Sequence, residues 1–192
     1  MLSLIILAAG KSTRMRGRNK LLVKVEGKPI IRRVVEASLK SKVDEVIVVL
    51  GWEADKIKEV LGDLPCRLVL NRDYEKGQSD SVKAGLREVG QTTQAILVLP
   101  GDVAMIDPQS INLVIEDYAR RKTPIVIAAH KGRPGHPILL AKQLFGEIEK
   151  IGEPTFGLKA VVKKHSENVR LVEAGSTNVL QDIDLPEDLK KL

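Results

Sequence analysis

An α/β architecture, with helices on both faces of a mostly parallel sheet, follows from three observations. Apolar, β-branched runs alternate along the chain with segments whose apolar residues recur at helical spacing. The strongest runs, Glu45 to Leu50 and Ala95 to Leu99, are continuously apolar beyond their first residue or two, as strands buried on both faces must be. Small or turn-forming residues stop them, at Gly10, Gly51 and Pro100-Gly101. Right-handed crossovers then give a three-layer αβα arrangement, and ligands bind beyond the carboxyl ends of the strands. The residues that follow each strand are therefore the ones to inspect for chemistry.

Taken in order, Leu4-Ile5-Ile6-Leu7 is a first strand ending in Ala8-Ala9-Gly10. Leu21 to Val25 alternates weakly and stops at Gly27-Lys28-Pro29. Pro29 suits a first helical turn, and Ile30, Ile31, Val34, Val35 and Leu39 keep helical spacing after it. Glu45 to Leu50 is the second strand; Ala54 to Leu61 is a short helix closed by Gly62; Cys66 to Leu70 is the third strand. Ser79 is expected to cap a helix running through Val82, Leu86 and Val89. Ala95 to Pro100 is the fourth strand. Asp107-Pro108 reads as a cap and first turn for a helix through Ile111, Val114, Ile115 and Tyr118. Ile125 to Ala129 is the fifth strand, and Leu171 to Glu173 and Val179-Leu180 read as short final ones. The closing acids and Pro186 read as a capped terminal helix.

The 192 residues are expected to form a single domain over 1–192. A hydrophobic share of 43% with 29% charged residues fits a globular chain, and no apolar run approaches the roughly 20 residues of a membrane span. Cys66 is the only cysteine, which excludes an internal disulfide and is compatible with a reducing, cytoplasmic setting. The net charge of +6 invites comparison with nucleic-acid binders, but aromatics are only 3% and supply no stacking platform. No nucleic-acid and no membrane partner is expected. The basic residues are spread over the chain except in one place, the loop after the first strand. Lys11, Arg14, Arg16, Arg18 and Lys20 lie there without a single acid. Cations and a glycine directly after a strand suit a triphosphate. The loop is neither of two familiar types: G-x-x-x-x-G-K-[ST] lacks its earlier glycine, and G-x-G-x-x-G is absent.

Leu7-Ala8-Ala9-Gly10-Lys11-Ser12-Thr13-Arg14-Met15 followed by Lys20 resembles the L-A-A-G-x-S-x-R-M-G…K signature of the nucleotidyltransferases, and most of all the molybdenum cofactor cytidylyltransferases. Three further segments agree in order. Gly77-Gln78-Ser79-Asp80-Ser81 with Gly85-Leu86 resembles G-x-S-x-S…G-L; Gly135-His136-Pro137 resembles the G-H-P motif; Asp182-Ile183-Asp184-Leu185-Pro186-Glu187-Asp188-Leu189 resembles D-x-D-T-P-E-D-L. There are departures. Arg16 intervenes before Gly17, and Gly152 to Lys159 differs from G-D-x-G-A-R by Glu153 and a stretched spacing, so no acceptor contact is assigned there.

The resemblance implies a Rossmann-like nucleotidyltransferase fold and a transfer of CMP from CTP to a molybdopterin-type acceptor, for delivery to a target molybdoenzyme. It implies that Leu7, Ala8, Ala9, Gly10, Ser12, Arg14, Lys20, Gly77, Ser79 and Ser81 bind nucleotide, and that Gly135, His136 and Pro137 lie near the acceptor. Arg14 and Lys20 would neutralise the leaving pyrophosphate, with Arg18 as the alternative to Lys20. A carboxylate after the fourth strand, Asp102, is suited on chemistry alone to hold Mg²⁺ on phosphates, or else marks a plain turn. The resemblance implies the metal role, with Asp182 as second ligand and Asp184 as its alternative. His136 by itself could be a base, a ligand or a packed residue, and the three histidines show no zinc spacing. Rival readings are a sugar- or polyol-phosphate nucleotidyltransferase, a molybdopterin guanylyltransferase, and a non-catalytic nucleotide-binding cofactor chaperone.

Overall fold

In a computed structural model, which describes residues 1–15, 17–183 and 187–188, the chain winds around one seven-stranded sheet. Its elements are β1 (Leu2–Ala8), the short hairpin β2 (Lys24–Val25) and β3 (Lys28–Pro29), α1 (Ile30–Leu39), β4 (Glu45–Leu50), α2 (Ala54–Leu61), β5 (Arg67–Leu70), α3 (Gln78–Arg87), β6 (Ala95–Pro100), α4 (Pro108–Arg121), β7 (Ile125–His130), β8 (Arg133–Ala141), α5 (Phe145–Ile148), α6 (Leu158–Lys164) and β9 (Val169–Glu173). The strand order is β5-β4-β1-β6-β8-β7-β9. Within the seven-stranded sheet every pairing is parallel except those of β8, which runs against both β6 and β7.

The period-2 alternation of β1 divides the core. Leu4, Ile6 and Ala8 pack with Ile31 and Val34 of α1, Ile57 of α2 and Ile111 and Val114 of α4. Ile5 points the other way, with Val82 and Leu86 of α3, Ile148 of α5 and Val161 of α6. Three helices therefore cover each face, and this is the three-layer arrangement the alternation of runs implies. Because both faces are covered, the central strands carry almost no polar residue, and β1, β4 and β6 are the most deeply buried part of the chain. No helix among the described residues is long and apolar enough to cross a membrane.

Local chemistry explains where the chain departs from the expected elements. Leu21 does not enter a strand, because the Asn19 carboxamide oxygen accepts from the Leu21 amide (3.1 Å) and turns Lys20–Leu22 into one 3-10 turn. Only Lys24–Val25 pairs, and Glu26 and Gly27, both at positive φ, close it onto Lys28–Pro29. The third strand begins at Arg67 rather than Cys66. Val179-Leu180 is not a strand either. Ser176 accepts from the Asn178 amide (3.2 Å) and winds Thr177–Leu180 into a 3-10 turn that buries Val179. Asp107 caps α4 as its position before Pro108 requires, accepting from the Ser110 amide at 2.8 Å. The loop insertion at Arg16 and the terminal stretch with Asp184, Leu185 and Pro186 lie outside the described residues.

Candidate active site

The reversed strand β8 shapes the functional edge. Val98 of β6 is opposite Ile138 of β8, so two residues further on the carboxyl end of β6 meets the amino end of β8. Gly135-His136-Pro137 is thereby brought beside Pro100-Gly101-Asp102, although more than thirty residues of sequence separate them. The carboxyl end of β1 is next in the sheet, with Leu7 paired to Pro100.

At this edge lies a cavity of about 380 Å³. Leu7, Ala9, Gly10 and Lys11 line it from β1 and its loop, Lys20 and Leu21 from the end of that loop, and Pro100 and Asp102 from β6. The opposite wall is Tyr74 and Glu75 with Gly77, Gln78 and Ser81 at the start of α3. The volume is in the range of small-molecule sites. Lys11 bridges the rim: its ammonium is 2.5 Å from Glu75 Oε1 and 5.9 Å from the centre of the Tyr74 ring. The hydrogen bond to Glu75 raises its pKa above the ordinary lysine value, so it is cationic.

The loop after β1 is held in a bowed shape by its own side chains. Ser12 adopts a positive φ; its carbonyl accepts from Met15 N–H (2.8 Å) and its hydroxyl accepts from Lys20 N–H (3.2 Å). Met15 is buried beneath the loop, which anchors the 3-10 turn Thr13–Met15. Lys20 is then delivered into the cavity, where its ammonium pairs with Asp102 Oδ2. Asp102 is only 8% exposed, and its other oxygen, Oδ1, is fully buried with no hydrogen-bond partner. An unpartnered buried carboxylate oxygen is costly, and a ligand atom at this point would relieve the cost.

The Asp102 backbone carbonyl accepts from Ile183 N–H at 3.2 Å, and this bond brings the segment carrying Asp182 alongside. Asp182 is exposed. Both carboxylates are near enough to His136 for their charges to act on it. Burial of the imidazole lowers its pKa below the ordinary histidine range, and the fields of Asp102 and Asp182 oppose that only in part. His136 is therefore neutral at pH 7, and its Nδ1 is buried without a partner. Gly135 permits the approach: a Cβ there would collide with the carbonyl of Val179.

A divalent cation fits this corner. Asp102 offers a buried, unsatisfied oxygen and Asp182 an exposed one beside it. Among the described residues no cluster of three or more His, Cys, Asp or Glu side chains makes a protein cage. Two carboxylates with water and substrate phosphates completing the shell is how Mg²⁺ is commonly held, so these residues could hold it.

The residues singled out from the sequence divide into three groups. Leu7, Ala9, Gly10, Lys20, Gly77, Ser81 and Asp102 line one cavity, and His136 and Asp182 gather beside Asp102. Ala8 is buried under the loop, Pro137 is buried behind His136, and Ser12 acts as a brace for Lys20. Arg14 and Arg18 are exposed on the loop, so of the two cations weighed for the phosphates it is Lys20 that enters the cavity. Ser79 is not the cap of α3, which begins at Gln78, and its donors are used elsewhere: its amide (2.8 Å) and its hydroxyl (2.9 Å) both go to Glu153 Oε1. Lys11, Leu21, Tyr74, Glu75 and Gln78 are wall residues that spacing alone did not single out; only the rule that strand ends carry the site points toward them.

Known proteins share the sequence pattern and the fold of this chain. Residues 4–169 match the family model described as the MobA-like NTP transferase domain. A bifunctional protein GlmU from Clostridioides difficile is 32% identical over 152 residues, covering 78% of this chain and 32% of that protein. The chain spans between 24% and 35% of the length of the curated relatives it matches. Among solved structures, a nucleotidyl transfererase-type fold is shared with a nucleotidyl transferase from Methanothermobacter, with TM-score 0.85 and 25% identity over 100% of this chain and 95% of the other. Rv0371C of Mycobacterium tuberculosis, solved in complex with manganese, superposes with TM-score 0.81 at 24% identity over 100% and 97% of the two chains. With residues 4–169 of its 192, including the whole loop after β1, inside the matched region, the chain belongs to the MobA-like NTP transferase family.

Proposed function

We propose that this chain transfers CMP from CTP to a molybdopterin-type acceptor bearing a phosphate, releasing pyrophosphate. An acceptor phosphate oxygen attacks the α-phosphorus, the bond from that phosphorus to the β-phosphate bridging oxygen breaks, and pyrophosphate leaves with the electron pair. The acceptor phosphate is already ionised near pH 7, so no catalytic base is required. The observation that carries the reading is that Asp102, whose Oδ1 is buried and unsatisfied, lines a cavity that Lys20 and the glycine loop also line.

Phosphate transfers of this kind depend on positioning and on charge neutralisation. Asp102 and Asp182 would hold Mg²⁺, which when bound supplies positive charge to the phosphates. Asp102 also draws the Lys20 ammonium into the cavity, and Arg14 lies on the same loop; both would meet the departing pyrophosphate. Ala9, Gly10 and Lys11 line the same space, where their amides would add to that charge neutralisation. The wall of Gly77, Gln78 and Ser81 would receive base and ribose, with the Ser81 hydroxyl oriented by Asn71 Nδ2 (3.1 Å). His136, neutral and beside both carboxylates, would face the acceptor without competing for metal charge. That Rv0371C was solved in complex with manganese supports a divalent ion as the cofactor. The cytosine preference rests on Ala9, where the resembled guanylyl branch tends to carry glycine, and with the molybdopterin acceptor on the resemblance of Gly135-His136-Pro137; a target molybdoenzyme in a cytoplasmic setting would consume the product.

A second reading has its own support. The 32% identity to GlmU favours a sugar-phosphate acceptor on the same machinery. Measuring pyrophosphate release with CTP, GTP and UTP against molybdopterin and a panel of phosphosugars separates the two. Turnover with CTP and molybdopterin is the expected result; turnover confined to a phosphosugar would establish the second reading instead.

A further inference from the structure

We propose that Glu153 is a positioning residue for the nucleotide: from the turn between α5 and α6 it clamps the first turn of α3 and so fixes the shape of the cavity wall. The proposal rests on the nucleotidyl-transfer reading above. The loop Gly77–Ser81 has two sides. Gly77, Gln78 and Ser81 face the cavity. Ser79, between them, is 2% exposed and faces away from it, into the turn at 152–157.

Several contacts join that turn to α3. Glu153 Oε1 accepts from the Ser79 amide at 2.8 Å and from the Ser79 hydroxyl at 2.9 Å. The stem of Glu153 passes so close to Gly77 that any Cβ there would collide with its Cγ, and Gly77 holds φ +118°, which side chains rarely adopt. A Cβ on Gly157 would be 2.9 Å from the Ser79 hydroxyl oxygen. One turn further along α3, the Lys83 ammonium donates to the Ile151 carbonyl at 3.1 Å.

This is an unusual way to cap a helix. The ten residues of α3 begin after Gly77, which has no side chain, and no local cap is made. The orphan amide of the first turn is satisfied instead by a carboxylate 74 positions away in sequence. A negative charge there also suits the positive end of the helix dipole. With Glu153 removed, the Ser79 amide is buried without a partner and Gly77 is free to relax, so the Gly77–Ser81 wall loses its fixed form. Glu153 does not itself line the cavity; it acts through Ser79 and through its packing on Gly77.

The test uses the full chain. Wild type is titrated with CTP, GTP, UTP and ATP in the presence of Mg²⁺, and the tightest binder is carried to the variants. Glu153→Ala is expected to weaken that binding about tenfold and to speed hydrogen exchange of the amides at 79–82, with little change at the β1 loop. Glu153→Gln keeps an oxygen acceptor and is expected to stay within twofold of wild type. Should the alanine variant not fold, Glu153→Asp, one methylene shorter, carries the same expectation of weakened binding. Unchanged affinity in Glu153→Ala or, failing that, in Glu153→Asp overturns the positioning role alone. Wild type that binds none of the four nucleotides overturns the functional reading and this role with it.

Discussion

Replacing Gly135 by alanine should disable the site from a residue that bears no functional group. The new methyl would be 2.8 Å from the Val179 carbonyl carbon and 2.9 Å from Leu180 Cδ2. The Val179 carbonyl oxygen is nearer still, and carbon atoms rest at about 3.5 Å or more, so the Val179 peptide must retreat by at least about 0.7 Å. Leu180 can rotate away; a backbone carbonyl cannot. Overpacking of this kind costs about 1–3 kcal/mol. In a chain of this size each kcal/mol lowers the melting temperature by about 2–4 °C. The displaced turn leads directly to Asp182 and to the Ile183 amide that holds Asp102. A misplacement near 1 Å can cost about 10²-fold in rate, so a 10- to 100-fold fall in pyrophosphate release is expected. Gly146→Ala is the control, since a Cβ there meets nothing within 4 Å and the position is helical and exposed. It should be neutral or slightly stabilising. Thermal melts and pyrophosphate assays of both variants decide the matter. If Gly135→Ala melts and turns over like wild type, the packing of Val179 on Gly135 does not position Asp182.

Other expectations follow from the same geometry. Asp107→Ala removes a cap on α4 and should cost about 0.5–2 kcal/mol in urea unfolding while leaving nucleotide binding unchanged, because α4 begins outside the cavity. Stability should fall with acid in two stages. His136 has a folded pKa below its unfolded value near 6.5, so the unfolded state takes up a proton first and stability drops as pH falls below about 6.5. Glu36 beside Lys28, Asp63 beside Arg32 and Glu147 beside Lys164 are held below the ordinary carboxylate range; their contribution is present above about pH 4 and is lost as pH falls through their folded values. Urea midpoints at pH 7, 5.5, 4 and 3 check both stages, and a midpoint flat from pH 7 to 5.5 would contradict the first. Lys20→Met should reduce turnover by at least 10²-fold and also lower stability, because it leaves the buried Asp102 carboxylate without its ion-pair partner, measured by pyrophosphate release alongside a melt.

Much of this arrangement is readable in the residues, and the limits of that reading are physical. Strands buried on both faces announce themselves, because covered faces admit only apolar residues; Glu45–Leu50 and Ala95–Pro100 coincide with β4 and β6. The rule that ligands gather at strand ends leads from β1 and β6 to Gly10 and Asp102. The direction of β8 is another matter. Ile138 to Leu140 has the same composition as a parallel strand, and nothing local records that it runs the other way. Its reversal is what carries His136 to Asp102. Val179-Leu180 looks like a strand because two apolar residues cannot encode a period, and the cap from Ser176 decides the outcome. Ser79 is a good local cap by composition, yet the carboxylate of Glu153 takes its amide and hydroxyl. Contacts between residues 74 apart leave no trace in spacing. The wall residues Tyr74 and Glu75 were likewise unreadable, since a turn after a strand has no pattern to distinguish a lining side chain from a solvated one.

The central claim is that Asp102 and Asp182 act together on the phosphates of a nucleotide through a divalent cation. Its most direct measurement is the affinity of the chain for CTP with and without Mg²⁺, in wild type, Asp102→Asn and Asp182→Asn. Wild type should bind at least tenfold more tightly with Mg²⁺ than with excess chelator. Each asparagine variant should lose most of that difference while melting within a few degrees of wild type. Asp102→Asn and Asp182→Asn that keep the full Mg²⁺ response would show that the two carboxylates do not form the metal corner of the site.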